Sequence, residues 1–493
     1  MKANFAYFLP ELVLIGTIVV LLVTDFFVGA KRKSLYPLWA VLGLALSMAV
    51  NCRSAGLEPT SFFSGMVAFD PMARFFKYIF GLVGILGVLI SKNSSDLDQA
   101  DQPSYYTLLI ALVLGMTLLS TSNHTLMLYL SLEMVSVLSN IMTASVRGVR
   151  RSSEAALKYV IYGGVASGVM AYGLSILYGL TGTMILPEMA AFIQTHAVSR
   201  PLLFTSVLFV MAGLGFKVAS VPFHMWCPDV YEGAPTPFTA FLSVGPKAAG
   251  FAALIRFFVG GLSVSGLPAN GAFVLAKQAG WIGLLSFLAI ATMTLGNLAA
   301  IGQKNIKRFL AYSSIAHAGY LMMGLAALNQ EAIKAVLFYV VVYLLMNLGA
   351  FLVVILVANE LGTEEINDYR GLGRRGGQGT ILGLMMAVFL FSLTGLPPLA
   401  GFIGKFYLFG AVIRSGLYGL AIVGVLNSVV SLYYYTRVVK LMFFDEPLDQ
   451  RSFRITNSVS TALVSGMAFF TIYLGLFWNQ LADWVSRSAA LVR

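Results

Sequence analysis

Four charged residues occupy positions from which they could move protons inside a membrane: Glu133, Lys217, Lys247 and Lys405. Lys217 lies in the apolar run 202–221, and a cation at bilayer depth costs so much free energy that it usually has a function and a partner. A rise of about 1.5 Å per residue places Glu133 about 14 Å from the outer end of its run and Lys247 about 17 Å from the inner end of its own. Both positions are close to the middle of a membrane. A buried ammonium releases its proton more readily when a nearby carboxylate moves away, so these residue types predict proton transfer, with inert buried ion pairs as the alternative.

Other ionisable residues in the apolar runs allow more than one interpretation. His317 falls at a similar depth, and its imidazole titrates near physiological pH, so a proton relay and a neutral hydrogen-bonded histidine both remain open. Lys158 lies about one turn from a membrane surface and four residues after Glu154, which predicts a helical ion pair and a side chain that reaches the surface. Arg256 is expected to be an interfacial anchor. His224 lacks neighbours at a metal-binding spacing, so no metal site is predicted, and a part for His224 in proton transfer stays open.

Prolines interrupt two of the apolar runs that carry these lysines. Pro222 follows Lys217 by five residues, cannot donate its amide, and frees a carbonyl one turn earlier. Pro397 and Pro398 precede Lys405 by about two turns. Freed backbone groups at membrane depth must line protein or water rather than lipid, so the sequence predicts a broken helix at each site.

The composition identifies the class of protein that holds these residues. With 493 residues, 58% of them hydrophobic and only 11% charged, the chain is a polytopic membrane protein and not a soluble domain. The net charge of +11 comes from Lys and Arg in short loops between apolar runs, which is topological information, so no nucleic-acid partner is expected. The first run lacks a small-residue cleavage site before the basic residues 31–33, which predicts a retained helix. Cys52 and Cys227 fall at opposite faces, so no disulfide is expected.

Fourteen apolar runs of about twenty residues could each cross the hydrocarbon, which predicts an all-α fold. They begin near Phe5, Tyr36, Pro71, Tyr105, Thr125, Ala155, Leu202, Pro237, Phe273, Ile306, Ala332, Ile381, Leu417 and Thr456. Fifteen basic residues fall in the loops of one side and six on the other. The excess marks the cytoplasmic side, so both termini are predicted to face outward. The loop with Asp229 and Glu232 carries no basic residue and does not contribute to this count.

The order of the runs contains an internal repeat. Runs four to eight and nine to thirteen each contain five helices, and the fourth member of each group carries the prolines. Because five is odd, the two groups are predicted to be inverted, a pattern typical of transporters whose ion sites lie at helix breaks. The predicted divisions are three N-terminal helices in 1–103, a first repeat in 104–262, a second repeat in 263–445, and a C-terminal helix in 446–493.

Three motifs carry a resemblance to a known family. They are VPFHMWCPDVYEGAPTPFTAFLSVGPKAAGFAALIR at 221–256, YSSIAHAGY at 312–320 and SLTGLPPLAGFIGKFYLF at 392–409. With these motifs, essentially the whole chain resembles the antiporter-like membrane subunits of respiratory complex I, the NADH-quinone oxidoreductase. Within that family the subunit N type, called subunit 2 in mitochondria, is the nearest. Lys405 stands where subunit M carries a glutamate, and the long C-terminal extension of subunit L is not seen.

The resemblance implies a proton-translocating subunit that binds neither NADH nor quinone and is driven by redox chemistry elsewhere in its complex. It implies that Glu133 pairs with Lys217, that Lys247 is central, and that Lys405 serves the second half; it also adds Lys158 to the functional positions. No cofactor is expected in this chain, because NADH, FMN, iron–sulfur clusters and quinone would be held by partner subunits. The expected setting is a hetero-oligomer in a bacterial inner membrane, with lipid and protons as the other partners.

Two alternatives accompany this hypothesis. A subunit of a multisubunit cation/proton antiporter shares the lysine and glutamate pattern and predicts sodium-dependent flux without NADH. A structural membrane scaffold with inert ion pairs predicts that neutralising Lys217 leaves pumping unchanged.

Overall fold

A computed structural model of the chain describes residues 2–28, 32, 34–92, 94, 96–97, 102–146, 149–264, 274–275, 280–447 and 458–491. In these residues the helices are α1 (Lys2–Tyr7), α2 (Leu9–Val28), α3 (Leu35–Arg53), α4 (Pro71–Ser91), α5 (Gln102–Thr121), α6 (Thr125–Thr143), α7 (Arg150–Thr181), α8 (Leu186–Thr195), α9 (Arg200–Val218), α10 (Trp226–Gly233), α11 (Thr236–Ile255), α12 (Trp281–Ile301), α13 (Ile306–Ala326), α14 (Gln330–Leu361), α15 (Gly377–Thr394), α16 (Ala400–Arg414), α17 (Tyr418–Phe443), α18 (Ser458–Leu476) and α19 (Asn479–Ser488). A single π-helical turn, Arg256–Gly260, continues α11.

Short strands occur only at the edges of this helical bundle in the part of the chain that is described. β1 (Thr60–Phe62) pairs antiparallel with β2 (Val67–Phe69), with Ser61 opposite Ala68. β3 (Ser263–Val264) pairs antiparallel with β4 (Val274–Leu275). Two such small ribbons cannot carry a core, so the predicted all-α polytopic fold is confirmed.

Thirteen of the described helices are long and apolar enough to cross a membrane. α13, with 21 residues, is also long enough to cross a membrane, but it carries Lys307, Arg308 and His317 among its apolar residues. The predicted starts at Phe273 and Thr456 lie outside the described residues, and the corresponding helices are seen from Trp281 and Ser458. The fourteen predicted runs therefore all correspond to helices.

Polar side chains fix where several of these helices begin. Asp70 accepts a hydrogen bond from the amide of Ala73 at 2.7 Å, and Asn329 accepts one from Ala332 at 2.7 Å. Asn305 accepts from the amides of Lys307 and Arg308 at 2.9 and 3.1 Å. Each bond satisfies an amide of the first turn that has no partner within its helix.

The two five-helix groups share the same local hydrogen bonds, which supports the predicted repeat. α7 and α14 both span 32 residues and both end at a left-handed glycine, Gly182 with φ 69° and Gly362 with φ 70°. After each of these helices the chain forms an isolated antiparallel bridge to the residue before α6 or α13, His124 with Ile185 and Asn305 with Glu365. The same connections thus recur in both halves, although few letters match.

Both predicted helix breaks are present and are built alike. α9 ends at Val218, and the next two amides bond back to the carbonyls of Phe216 and Gly215. α15 ends at Thr394, and its next two amides bond back to the carbonyls of Ser392 and Phe391. Pro222 and Pro398 each follow the last helical residue by four positions, and α10 and α16 are the second half-helices.

The loops separate into two faces, as an alternation of spans requires. Contacts on the face with the excess of basic residues are Thr236 with Asp96 (2.9 Å), Arg308 with Asp229 (2.6 Å), Lys307 with Glu364 (2.8 Å) and Arg437 with the Gln303 carbonyl (3.0 Å). Contacts on the other face are Met72 with Ala490 (3.3 Å), Asn123 with Met66 (2.9 Å), Thr125 with Met184 (2.8 Å) and Asn329 with Ser415 (2.7 Å). Which of the two faces is cytoplasmic stays a prediction.

α11 and α14 form the centre of the bundle. Every residue of α11 is buried, and α14 is buried along most of its length. The peripheral helices α2, α7 and α17 instead expose large apolar side chains such as Leu22, Val165 and Val429. An apolar exterior around a core that holds the ionisable residues is the arrangement expected of a protein surrounded by lipid.

Candidate functional site

Lys217 is the next-to-last residue of α9 and is buried, with 1% of the residue exposed. Its Nζ donates to Ser136 Oγ on α6 at 3.2 Å. The break that follows is stabilised by side chains, because the Trp226 indole donates to the Phe216 carbonyl at 3.1 Å and the Val221 amide donates to Thr292 Oγ1 at 3.0 Å. Backbone groups freed by the break are therefore bonded within the protein, as the membrane interior requires.

Glu133 lies on α6 one turn before Ser136, but its carboxylate does not reach Lys217. The carboxylate accepts a hydrogen bond from Ser167 on α7, while Lys217 donates to Ser136. Among the described residues, no salt bridge within 4 Å includes Lys217. The expected direct ion pair is therefore absent in this conformation, and two serines stand between the charges.

Lys247 lies in the middle of α11 and is 4% exposed. Its Nζ donates to Ser314 Oγ at 2.5 Å and lies 5.6 Å from the centre of the Tyr231 ring. A small cavity lined by Lys247, Ser314 and Tyr343 has room for about one water molecule. Gly250, one turn further along α11, packs against the stem of Lys217, since a Cβ there would lie 3.4 Å from Lys217 Cγ. The stem of Lys217 thus packs on α11 one turn away from Lys247.

α13 connects Lys247 to the second half of the protein. Ser314, His317 and Tyr320 recur at every third position, so they lie along one side of the helix. Ser314 bonds Lys247, and the Tyr320 ring lies against Lys405, whose Nζ is 4.4 Å from the ring centre. His317 stands between them on α13, with its ring centre 5.8 Å from that of Tyr320, so α13 carries a row of polar groups from Lys247 to Lys405.

His317 is enclosed by tyrosines. Its Nδ1 is 2.6 Å from the Tyr339 hydroxyl and its Nε2 is 3.3 Å from the Tyr435 hydroxyl, and Tyr435 also bonds Ser313. A neutral imidazole has one N–H donor and one acceptor nitrogen, so with partners on both nitrogens it can receive a proton on one side and release one on the other. Sequence reasoning missed the tyrosines, because tyrosine in an apolar helix is not distinctive by itself.

Lys405 lies on α16 after the second break and is 4% exposed. Its Nζ donates to the Thr394 carbonyl at 2.8 Å and to Ser428 Oγ at 3.3 Å, and Ser428 in turn donates to the Tyr320 hydroxyl at 3.1 Å. Thr394 is the last residue of α15 and corresponds in the repeat to Val218 of α9. Lys217 thus lies in the last turn of α9, and the Lys405 ammonium reaches the last residue of α15.

Lys158 forms the predicted ion pair with Glu154, at 2.9 Å, and a second with Asp229, at 2.7 Å. The Asp229 segment is a helix, α10, and not the loop that the sequence suggested. Asp229 and Glu232 also bond Arg308 of α13 at 2.6 and 2.8 Å. Lys158 has the predicted ion pair and a side chain that is 39% exposed, and it is in addition part of a charge network that joins α7, α10 and α13 at the basic face.

Arg256 corrects a prediction. It is not an interfacial anchor, because only 2% of it is exposed and its guanidinium forms two hydrogen bonds to the Asp70 carboxylate, at 3.0 and 2.9 Å. A second buried pair, Glu11 with Lys77 at 2.7 Å, was also missed. Both pairs contain charged residues in or beside apolar runs, which was the signal that could have revealed them.

The described residues hold no cluster of three or more His, Cys, Asp or Glu side chains that could bind a metal. His224 is buried in the first break, close to Trp226 in sequence but outside the row of groups on α13. Three buried lysines, a histidine and the hydroxyl groups near them are residue types that can bind and transfer protons.

The chain is similar to known proteins over most of its length. The family described as NADH:quinone oxidoreductase/Mrp antiporter, transmembrane, matches residues 122–431. The chain is 45% identical to NADH-quinone oxidoreductase subunit N of Anaeromyxobacter sp. (strain Fw109-5), over 99% of this chain and 97% of that protein. It is also 45% identical to subunit N 2 of Sorangium cellulosum (strain So ce56), over 100% and 98% of the two chains.

Chains in solved structures have a similar fold. A chain of respiratory complex I from Thermus thermophilus with bound aureothin matches with a TM-score of 0.78 and 31% identity, over 96% of this chain and 98% of that one. A chain of the Mrp complex from Dietzia sp. DQ12-45-1b matches with a TM-score of 0.83 over 99% and 97%, but at 17% identity the likeness extends to the fold alone.

Proposed function

Since the chain belongs to the NADH-quinone oxidoreductase subunit N family, within the wider NADH:quinone oxidoreductase/Mrp antiporter family, we propose that it translocates protons as a membrane subunit of an NADH:quinone oxidoreductase. One observation carries the proposal. Lys217, Lys247 and Lys405 are all buried, and no salt bridge between described residues includes any of them. A buried ammonium without a counter-ion is costly, and the cost is avoided when the amine is neutral, so each lysine is suited to gain and lose a proton.

Hydroxyl groups and His317 supply the route between the lysines. A proton leaves Lys247 Nζ toward Ser314 Oγ, which is already its hydrogen-bond acceptor, and the hydroxyl passes its own proton onward. His317 takes a proton on one ring nitrogen and gives one from the other, and Tyr320 with Ser428 completes the route to Lys405. The steps from Ser314 to His317 and from His317 to Tyr320 would need a side-chain movement or a bridging water molecule, and the groups return to their starting state when the next proton arrives.

Glu133 acts as the variable partner of Lys217 in this proposal. Rotation of the carboxylate from Ser167 toward Ser136 would bring negative charge to the ammonium and favour its protonated form. Rotation back to Ser167, the conformation seen here, favours release. Moving one proton against a membrane potential costs about 2.3 kcal/mol per 100 mV. This is the free energy that the movement of the Glu133 carboxylate has to supply at Lys217.

The energy for these steps comes from other chains. We propose that NADH, FMN, iron–sulfur clusters and quinone are bound by partner subunits, and that this chain lies in a bacterial inner membrane with both termini on the outer side. Relatives named NADH-quinone oxidoreductase subunit N, matched over nearly their full length, support the association with partner subunits. The excess of basic residues in the loops of one side supports the predicted orientation of the termini.

The experiment uses the intact complex reconstituted in vesicles. Lys247→Met should abolish most NADH-driven proton uptake while the complex still assembles, because methionine fills the site but binds no proton. Lys440→Met, at an exposed position on α17, is the matched control and should pump normally. Normal uptake with Lys247→Met would overturn the proposal.

The antiporter alternative rests on a solved structure that shows the fold alone, whereas the subunit N relatives are 45% identical. Sodium-dependent proton flux in vesicles without NADH would favour the antiporter and would be seen with the same preparation.

A further inference from the structure

We propose that a cleft between α14, α16 and α19 binds one phospholipid, with its phosphate at Lys334 and Arg414 and its acyl chains on the apolar wall below. The cleft has a volume of about 220 Å³. It lies at the face opposite the basic loops, where Asn329 bonds Ser415 between the ends of α14 and α16.

The walls of the cleft have the two kinds of surface that a lipid needs. Phe338, Phe406, Ala411 and Val485 supply apolar lining, and Phe406 remains 64% exposed on the side that faces the bilayer. Acyl chains are apolar like this wall, and they surround the protein within the bilayer.

Positive charge stands at the rim. Lys334 and Arg414 both line the cleft, and Arg414 is exposed in the last turn of α16. Glu331 also lines it and bonds Lys334 at 2.7 Å, so the ammonium is held in place and the Arg414 guanidinium remains for bidentate binding of phosphate oxygens. One carboxylate against two cations leaves a net charge of +1, which complements a lipid phosphate.

α19 places the cleft at the depth of lipid headgroups. This ten-residue helix packs Leu481 and Val485 against the rest of the protein and exposes polar residues such as Asn479 and Arg487, as expected at the aqueous end of the bundle. Its Ser486 lines the cleft beside the cations. The rim is therefore at headgroup level and the apolar wall continues into the hydrocarbon.

Binding there would act on a half-helix of the proton site. Phe406 directly follows Lys405 in α16, one side chain facing the cleft and bilayer, the other the buried row of protonatable groups. A lipid held against Phe406 would restrict movement of α16. This consequence rests on the proposed function, but the binding site does not.

The test measures lipid retained by the intact complex purified in detergent from membranes that contain phosphatidylglycerol and phosphatidylethanolamine. Two independent variants remove the site: Lys334→Gln with Arg414→Gln removes the phosphate ligands, and Gly410→Leu fills the cleft. A Cβ at Gly410 meets no atom within 4 Å, so the new side chain starts in open space at the lining of the cleft. Arg487→Gln, an exposed arginine of α19, is the control.

Native mass spectrometry should show one phospholipid fewer per complex with both variants and no loss with the control. Equal lipid retention in all four preparations would overturn the proposal. Loss of a co-purifying protein chain with unchanged lipid would also overturn it, because the cleft would then be a protein interface. Neither readout depends on proton pumping, so failure of the lipid site is distinguishable from failure of the proposed function.

Discussion

The hydroxyl of Ser314 is predicted to be required for proton transfer from Lys247. Ser314 accepts the hydrogen bond of the Lys247 ammonium at 2.5 Å and begins the row of groups on α13. Replacement by valine removes the acceptor and excludes water from the adjoining cavity, because the added methyl group occupies it. Replacement by threonine adds nearly the same volume and keeps the hydroxyl, so it is the matched control.

The size of the effect follows from the bond that is lost. A hydrogen bond to a charged group contributes about 1.5–3 kcal/mol. Each 1.4 kcal/mol changes a rate about tenfold, so transfer from Lys247 should slow by about ten- to hundredfold in Ser314→Val. Ser314→Thr should stay within about threefold of the unmodified protein, since only packing changes.

The assay is the initial rate of proton uptake per NADH oxidised in vesicles, normalised to assembled complex. Ser314→Ala is a useful third variant, because it leaves room for a water molecule that could replace the hydroxyl, and it should fall between the other two. Equal uptake by Ser314→Val and Ser314→Thr would refute the reasoning, since the hydroxyl would then have no part in the transfer.

Four other predictions test separate parts of the structure. Lys217→Ala and Lys217→Arg should both reduce NADH-driven pumping severely, the second because guanidinium keeps its proton; normal pumping by either would contradict a proton-carrying lysine. A cysteine in place of Arg150, in a chain with Cys52→Ser, should react with an impermeant maleimide only from the cytoplasmic side, and reaction from outside intact cells would overturn the orientation. Arg256→Met removes the cation that faces the buried Asp70 carboxylate, which should destabilise the complex by about 3–5 kcal/mol and lower its melting temperature; an unchanged melting curve would contradict that. Lys405→Leu should lose pumping and Leu393→Lys should partly restore it, because residue 393 corresponds in the repeat to Lys217; a double variant no better than the single one would refute that correspondence.

The sequence was sufficient for the helices and their breaks for a physical reason. Crossing hydrocarbon demands about twenty apolar residues, and a proline within such a run cannot complete the helical hydrogen bonds. Both rules depend on local sequence alone. The prediction failed where the answer depended on a partner: Arg256 was placed at an interface because its counter-ion, Asp70, lies 186 residues away in the chain.

The charged residues of the site could be predicted from the sequence, but the hydrogen bonds between its side chains could not. Lys217, Lys247 and Lys405 stand out because charge is rare at membrane depth. Tyr339 and Tyr435 do not, since tyrosine is compatible with an apolar helix and acquires meaning only when its hydroxyl reaches His317. The separation of Glu133 from Lys217 likewise depends on side-chain conformation, which spacing along a helix does not determine.

The repeat explains why two lysines at unlike positions in the sequence reach similar places in the structure. Lys217 comes before its break, as the next-to-last residue of α9. Lys405 comes after its break, and its side chain extends back to the carbonyl of Thr394, the last residue of α15. The C-terminal end of a helix carries partial negative charge, so an ammonium is stabilised there whichever half-helix bears the side chain. What the two halves share is therefore a lysine at the C-terminal end of the first half-helix, carried by α9 itself in one half and reaching α15 from α16 in the other. An alignment of letters would miss it, because it would pair Lys217 with Leu393.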